Sequence, residues 1–233
     1  MRAVYYPFEQ YEIGQNVQVS GDTAHHLNVV RVKLGEEILL LNGKGSKLNG
    51  KVISVEKKLV EVLVTKTETF KHTHNLSLAI ANPKKDAFED ILKAAVELGI
   101  KNIYPLSSEF SQYDYVRSER VDRILESALV QSNNPFYPEI HTQLRLTDFL
   151  KGHKETLVFF NSRSSEVDVG KVSTQENTTI LIGPEGGFST NEVNQICAYA
   201  KILEIHLPTP ILRAPTAVPA SVGYLLALAN NLK

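Results

Sequence analysis

Three observations predict an α/β protein with a separate β-rich N-terminal unit. Residues 1 to about 70 alternate apolar and polar side chains around turn dipeptides. From about residue 76, apolar runs of strand length alternate with amphipathic segments of helical length, the pattern of a parallel sheet covered by helices. A glycine-rich turn, GPEGG at 183–187, then leaves one of those apolar runs, where open parallel sheets hold their ligands.

In the first unit, EEILLLNGKGSKLNGKVISVEKKLVEVLVTKTE carries period-two alternation, with turns expected at Asn42-Gly43 and Asn49-Gly50. This is the pattern of a small barrel or meander. The polar stretch ETFKHTHN at 68–75 marks the boundary, giving domains over 1–70 and 71–233. LSLAIAN then reads as a buried strand, and DAFEDILKAAVELG as a helix opened by an Asp86-x-x-Glu89 cap. Ile103 to Leu106 form a short strand, SERVDRILESALVQS a helix, and TLVFF, TTILIG and ILEIHL three more strands. TAVPASVGYLLALANN closes the chain as a helix, with Pro219 acceptable only in its first turn.

The 233 residues suffice for one large domain or two modest ones, and 42% hydrophobic with 22% charged residues is ordinary for a globular protein. A net charge of −1 argues against a generally basic nucleic-acid coat, though not against a local basic patch. The single cysteine, Cys197, excludes an intrachain disulfide. Its apolar helical neighbours Val193, Ile196 and Ala200 predict a buried structural thiol. The first residues lack an apolar signal core and no run approaches transmembrane length, so a cytoplasmic protein with no membrane partner is expected.

Ser189 and Glu192 have the spacing of a capping box and account for the start of the helix after GPEGG. They leave Gly183, Pro184, Gly186 and Gly187 unexplained. Glycine is conformationally expensive and gives a core nothing, so a ligand close to the backbone is the better reading. The P-loop pattern is absent, and GKGSKL at 43–48 breaks the dinucleotide fingerprint at its last position. A second unusual loop, LPTPILRAPTAVPAS at 207–221, follows the strand ILEIHL; its early prolines predict a rigid extended path from which Arg213 projects. His25 and His26 lack a spaced third ligand, so no metal site is expected. Arg31, Lys33, Lys44, Lys47 and Lys51 read equally as a modest basic face or as ordinary solvated lysines and arginine.

IGPEGGFS followed by L-x-x-x-ILR-x-x-TA before a C-terminal helix resembles the SPOUT class of S-adenosyl-L-methionine-dependent methyltransferases, and within it the RsmE family, which methylates N3 of a uridine in small-subunit ribosomal RNA. His25-His26-Leu27, Val30-Arg31 and Leu34-Gly35 resemble the signature of that family's PUA-like N-terminal β-barrel. Lys84-Lys85-Asp86-Ala87 stands where the family has a K-G-D-R segment, KAAVELGI matches its K-x-x-ELGV helix, and Gln131-Ser132 its A-x-Q-S step. Two positions depart. Ala214-Pro215-Thr216-Ala217 replaces T-E-T-A, and Asn133-Asn134-Pro135 stands where an arginine is usual.

The resemblance implies a PUA-like RNA-binding domain over 1–70 and a SPOUT methyltransferase domain with a trefoil knot over 71–233. It implies a homodimer, which the apolar residues Ala217, Val218, Val222, Leu225, Leu226 and Leu228 of the last helix also favour. Ile182, Gly183, Pro184, Glu185, Gly186, Gly187, Leu207, Ile211 and Leu212 would hold the cofactor, Arg213 would act on the target base or its phosphate, and His25, His26, Arg31 and Lys85 would meet RNA. The partner would be small-subunit ribosomal RNA or the assembled small subunit. Two other readings stand beside this one. A catalytically silent RNA-binding protein of the same fold would follow from Pro215 in place of a carboxylate. An unrelated α/β enzyme would bind a small anionic metabolite at GPEGG.

Overall fold

Alternating valines and leucines shape the N-terminal unit. The computed structural model describes residues 1–161 and 173–231. β1 (Arg2–Tyr5), β2 (Asn16–Ser20), β3 (Glu37–Leu41), β4 (Ser46–Val55) and β5 (Leu59–Thr69) form one sheet in the order β1-β3-β4-β5-β2, with helix α1 (Gly21–Val29) following β2. Val17, Val19, Ile38, Leu40, Val52, Val60 and Val62 point to one buried face, as the period-two pattern demands. The barrel expected from the sequence is open, with β1 and β2 as its two edges.

Asn42-Gly43 does turn the chain between β3 and β4. Asn49-Gly50 does not: both residues lie inside β4, where the register against β5 shifts between them. The turn falls instead at 56–58, closed by Glu56 N–H donating to Leu59 O at 2.8 Å. An Asn-Gly pair inside long alternation on both sides is read by the ladder as a bulge.

Residues 126–137 group with residues 1–72, and the second unit comprises 73–125 and 138–233. Within the first unit the His72 and Phe136 rings stack at 3.7 Å, Gly45 N–H donates to Pro135 O and Tyr137 N–H to Gly43 O, both at 2.8 Å. What sends the chain there is Asn133, whose φ of +52° ends the preceding helix in the left-handed region. Asparagine tolerates that conformation far better than most side chains, which gives a local reason for Asn133 at this position.

In the second unit, β6 (Leu76–Ala81), β7 (Asn102–Ser107), β8 (Glu139–Ile140), β10 (Thr156–Phe160), β11 (Thr178–Ile182) and β12 (Ile202–Ile205) lie in the order β12-β10-β11-β6-β7-β8, with β9 (Leu144–Arg145) also beside β7. Every pairing is parallel. β6 and β11 are buried along their whole length, which is why both read as unbroken apolar runs rather than alternation. The intervening helices are α2 (Lys85–Glu97), α3 (Glu119–Ser132), α4 (Leu146–Gly152), α5 (Thr190–Cys197) and α6 (Ala214–Asn231). The α/β class is therefore the one expected. The strands β8 and β9, of two residues each, carry no periodicity, and α4, at seven residues, is too short to show a helical one.

Three local expectations are corrected. Asp86 and Glu89 do not cap α2, whose N-cap position is Lys84 and makes no side-chain cap. Glu89 is instead gripped by Arg120, with Nε to Oε1 at 2.6 Å and Nη2 to Oε2 at 2.7 Å. Helix α6 starts at Ala214, so Pro215 takes the first turn and Pro219 falls within the helix, where its missing N–H interrupts the ladder. Cys197 is exposed rather than buried. Its thiol is nevertheless pushed up to about 11, by desolvation and then by the Glu204 carboxylate, which lies 3.3 Å from Sγ. That keeps it protonated and a poor nucleophile. No helix among the described residues is long and apolar enough to cross a membrane.

Candidate active site

Parallel strands deliver their loops to one edge. Phe160 of β10 pairs with Ile205 of β12, and Phe159 with Leu181 of β11, so these three strands end level with one another. The loops after β11 and β12, together with the start of α6, enclose a cleft of about 340 Å³, within the range of small-molecule sites. All nine residues expected to hold a cofactor line it: 182–187 on one side, Leu207, Ile211 and Leu212 on the other.

The GPEGG turn is held by its own neighbours. Gly187 N–H donates to Pro184 O at 2.9 Å, closing the turn, and Gly187 has φ +70°, where a β-branched residue would be strained. A Cβ on Gly186 would stand 3.0 Å from the Phe110 Cβ, and one on Gly183 3.2 Å from the Phe188 ring. Two of the three glycines thus make room for protein side chains rather than directly for a ligand. Gly187 is different, since nothing lies within 4 Å of where its Cβ would be. Ser189 and Glu192 form the reciprocal capping box expected at the start of α5. Glu185 turns outward, and its Oε1 accepts the Lys84 N–H at 3.4 Å. The loop carboxylate thereby stands at the positive end of α2, where that helix's own first residues supply no cap.

Arg213 does not line the cleft. It is exposed, between the lining residues Leu212 and Ala214, and its carbonyl accepts the Ala217 N–H at 2.8 Å. Its side chain makes no hydrogen bond or ion pair among the described residues. His25 and His26 are exposed on α1, Arg31 is exposed just beyond it with φ +54°, and Lys85 is exposed at the start of α2. None of the four belongs to the cleft. No group of His, Cys, Asp and Glu among the described residues is arranged to hold a metal.

Sequence reasoning missed Phe159, Phe160 and Asn161 at the end of β10, and Ala214, Ala217 and Ser221 on α6. The first set carries no signal until strand order makes β10 the neighbour of β11. The second was detectable as small residues at i, i+3 and i+7 of one helix. Glu185 is the one charged residue among the described lining residues, so the cleft offers an anion no cationic side chain.

The second unit is thus a parallel α/β sheet with a glycine-turn cleft at its carboxyl edge, in a chain that also carries a small β-sheet unit. The RNA methyltransferase domain family matches residues 71–226, and the RNA methyltransferase PUA domain family matches residues 19–65. The chain is 25% identical over 228 residues to ribosomal RNA small subunit methyltransferase E of Rickettsia conorii, covering 94% of this chain and 93% of that one. A crystal structure of ribosomal RNA small subunit methyltransferase E from Neisseria gonorrhoeae bound to S-adenosyl methionine superposes with a TM-score of 0.86 at 26% identity, covering 98% of each chain. A Legionella pneumophila protein in complex with the bound cofactor SAM superposes with a TM-score of 0.83 at 25% identity, over 97% of this chain and 96% of that one. The chain belongs to the RsmE family of RNA methyltransferases.

Proposed function

We propose that this chain is an S-adenosyl-L-methionine-dependent methyltransferase of small-subunit (16S) ribosomal RNA, acting on N3 of a uridine. The observation that carries the reading is the cleft formed by both unusual loops, in a chain 98% of which superposes on a ribosomal RNA small subunit methyltransferase E bound to S-adenosyl methionine. The residues present fit the cofactor. The cleft has apolar walls, an unfilled space beside Gly187, a fully buried hydroxyl and, among the described residues, no cationic side chain that would repel a sulfonium. Among the described lining residues an anionic metabolite would find no cationic partner.

When bound, the cofactor supplies an electrophilic methyl group. The chain's contribution is chiefly position. Residues 182–187 would present backbone groups to it, while Leu207, Ile211 and Leu212 exclude water from its flank. Arg213, exposed at the rim with a side chain free among the described residues, would approach the target base or its phosphate. There it would stabilise the negative charge left when N3 loses its proton. His25, His26 and Arg31 in the first unit and Lys85 in the second would meet the RNA, in naked rRNA or in the assembled small subunit. The reading carries with it a homodimer, a trefoil-knotted second domain, domain limits of 1–70 and 71–233, and a cytoplasmic location.

The decisive experiment transfers labelled methyl from S-adenosylmethionine to small subunits purified from a strain lacking this modification. The expected result is label on a uridine of 16S rRNA. Cofactor binding without any transfer would replace the reading by a silent RNA-binding protein, the alternative that Pro215 keeps open.

A further inference from the structure

Ser221 lies on α6, one turn beyond the lining residue Ala217. It lines the cleft, is 0% exposed, and its Oγ has no hydrogen-bond partner among the described residues. A helical serine normally returns its hydroxyl to a carbonyl one turn back or reaches water. A buried hydroxyl that does neither costs folding free energy, so in the free protein this group is a liability. The liability is removed by a ligand that bonds it.

The position of Ser221 limits the chemistry of that ligand. Of the lining residues, Ile211 is 91% exposed and stands toward solvent, whereas Ser221 is 0% exposed. Ala214 and Ala217 precede it on the same helix and lack the bulk to block a flat group. The lining residues Phe159 and Ile182 are buried, and among the described lining residues the one charged side chain, Glu185, is exposed. An ammonium or carboxylate would enter such a place unpaired, at large desolvation cost. An uncharged heterocycle with donors and acceptors on its edge meets no such cost, and a hydroxyl can serve it in either role.

We propose that Ser221 Oγ is the hydrogen-bond anchor for the heteroaromatic edge of the ligand's nucleoside end, with the amino-acid end turned toward the solvent-open mouth. The inference rests on the reading of the ligand as S-adenosylmethionine. It assigns to this chain a specificity residue on α6, outside both loops.

The test is Ser221→Ala, followed by calorimetry and thermal unfolding. Wild-type protein is titrated with S-adenosylmethionine and, by displacement, with 5′-methylthioadenosine, which lacks the amino-acid end. In the variant, affinity for both ligands should fall by a similar factor of roughly tenfold, the usual effect of one neutral hydrogen bond whose partner is left unpaired. The ligand-free variant should unfold at the same temperature as wild type or higher, because the orphaned hydroxyl is gone. Unchanged affinities overturn the proposal. So does a loss confined to S-adenosylmethionine, which would put the hydroxyl at the amino-acid end. A ligand-free variant that unfolds at lower temperature also overturns it, since the hydroxyl would then be bonded inside the protein. Failure of 5′-methylthioadenosine to displace S-adenosylmethionine from either protein rejects the nucleoside-end assignment. Wild-type protein that binds no S-adenosylmethionine rejects instead the functional reading on which the proposal stands.

Discussion

The carboxylate of Glu192 joins its own helix to the loop carrying Glu109: Oε1 accepts the Glu109 N–H at 2.8 Å, while Oε2 accepts the Ser189 N–H at 2.9 Å. One side chain therefore caps α5 and fastens the loop after β7, whose Phe110 lies against Gly186 of the cleft wall. Glu192→Ala should destabilise the protein by about 1 kcal/mol or somewhat more, the usual effect of losing a cap. It should also weaken S-adenosylmethionine binding several-fold, because the wall loosens. Ser189→Ala, which removes only the cap, should spare most of that affinity. Equal affinities for the two variants in calorimetry would refute the fastening role.

Gly187→Val places a β-branched residue at φ +70°, a strain of about 1–3 kcal/mol. The space where its Cβ would stand is open, with no non-adjacent residue within 4 Å, and Gly187 lines the cleft, so the added bulk would compete with a ligand rather than with the core. The expected outcome is a folded protein with a modestly lowered melting temperature and no measurable cofactor binding. Unchanged affinity would falsify the placement of the ligand beside this turn.

Arg213 stands at the rim rather than in the cleft. Arg213→Ala should accordingly leave cofactor affinity within a few-fold, while methyl transfer falls by roughly 10²-fold, as when one preorganised charge partner of a reacting group is removed. Lysine should rescue only part of the loss, since a point charge does not reproduce a planar fork. A parallel fall in affinity and turnover would show that the side chain packs against the cofactor instead.

His74 gives stability a pH dependence. Its Nε2 lies 3.0 Å from Leu98 O and its Nδ1 accepts the Leu76 N–H at 3.3 Å, an arrangement that fits the neutral ring. Burial holds its pKa below the ordinary 6.5, against the opposing pull of the Leu98 carbonyl. Below 6.5 the unfolded chain therefore binds the proton more readily than the folded one. Stability is full above that pH and declines as pH falls through it. Denaturant unfolding at about pH 8 and about pH 5.5 should show the decline in wild type and a smaller one in His74→Gln. Some slope should persist through His153, whose pKa burial also lowers. A variant as pH-sensitive as wild type would exclude His74 as a source.

Dimerisation is expected in solution, on narrower structural grounds than the apolar helix offered. Val218, Val222 and Leu225 are buried within the subunit itself. Ala217, Leu226 and Leu228 are half-exposed and remain for a partner. Sedimentation at micromolar concentration with cofactor present should give a dimer; a stable monomer would reject it.

The residues themselves were enough to predict the two-unit α/β order, the apolar central strands, the capping box at Ser189 and the two loops that line the cleft. These are local matters, because period, turn chemistry and capping depend on neighbours a few residues away. They failed where a local pattern had two outcomes. Asn49-Gly50 became a bulge because β5 paired straight past it, and Asp86 and Glu89 lost their capping role when Arg120 approached from another helix.

Only the tertiary structure decided which distant pieces share a site. Strand order put the end of β10 beside GPEGG, α6 carried Ser221 to the lining of the cleft, and Glu185 and Glu192 reached the loops after β6 and β7. It also showed that Gly183 and Gly186 make room for Phe188 and Phe110. A sequence states what each residue can do through its φ, its charge and its volume. Which partner meets it follows from packing many elements into one core, a condition no short stretch of chain contains.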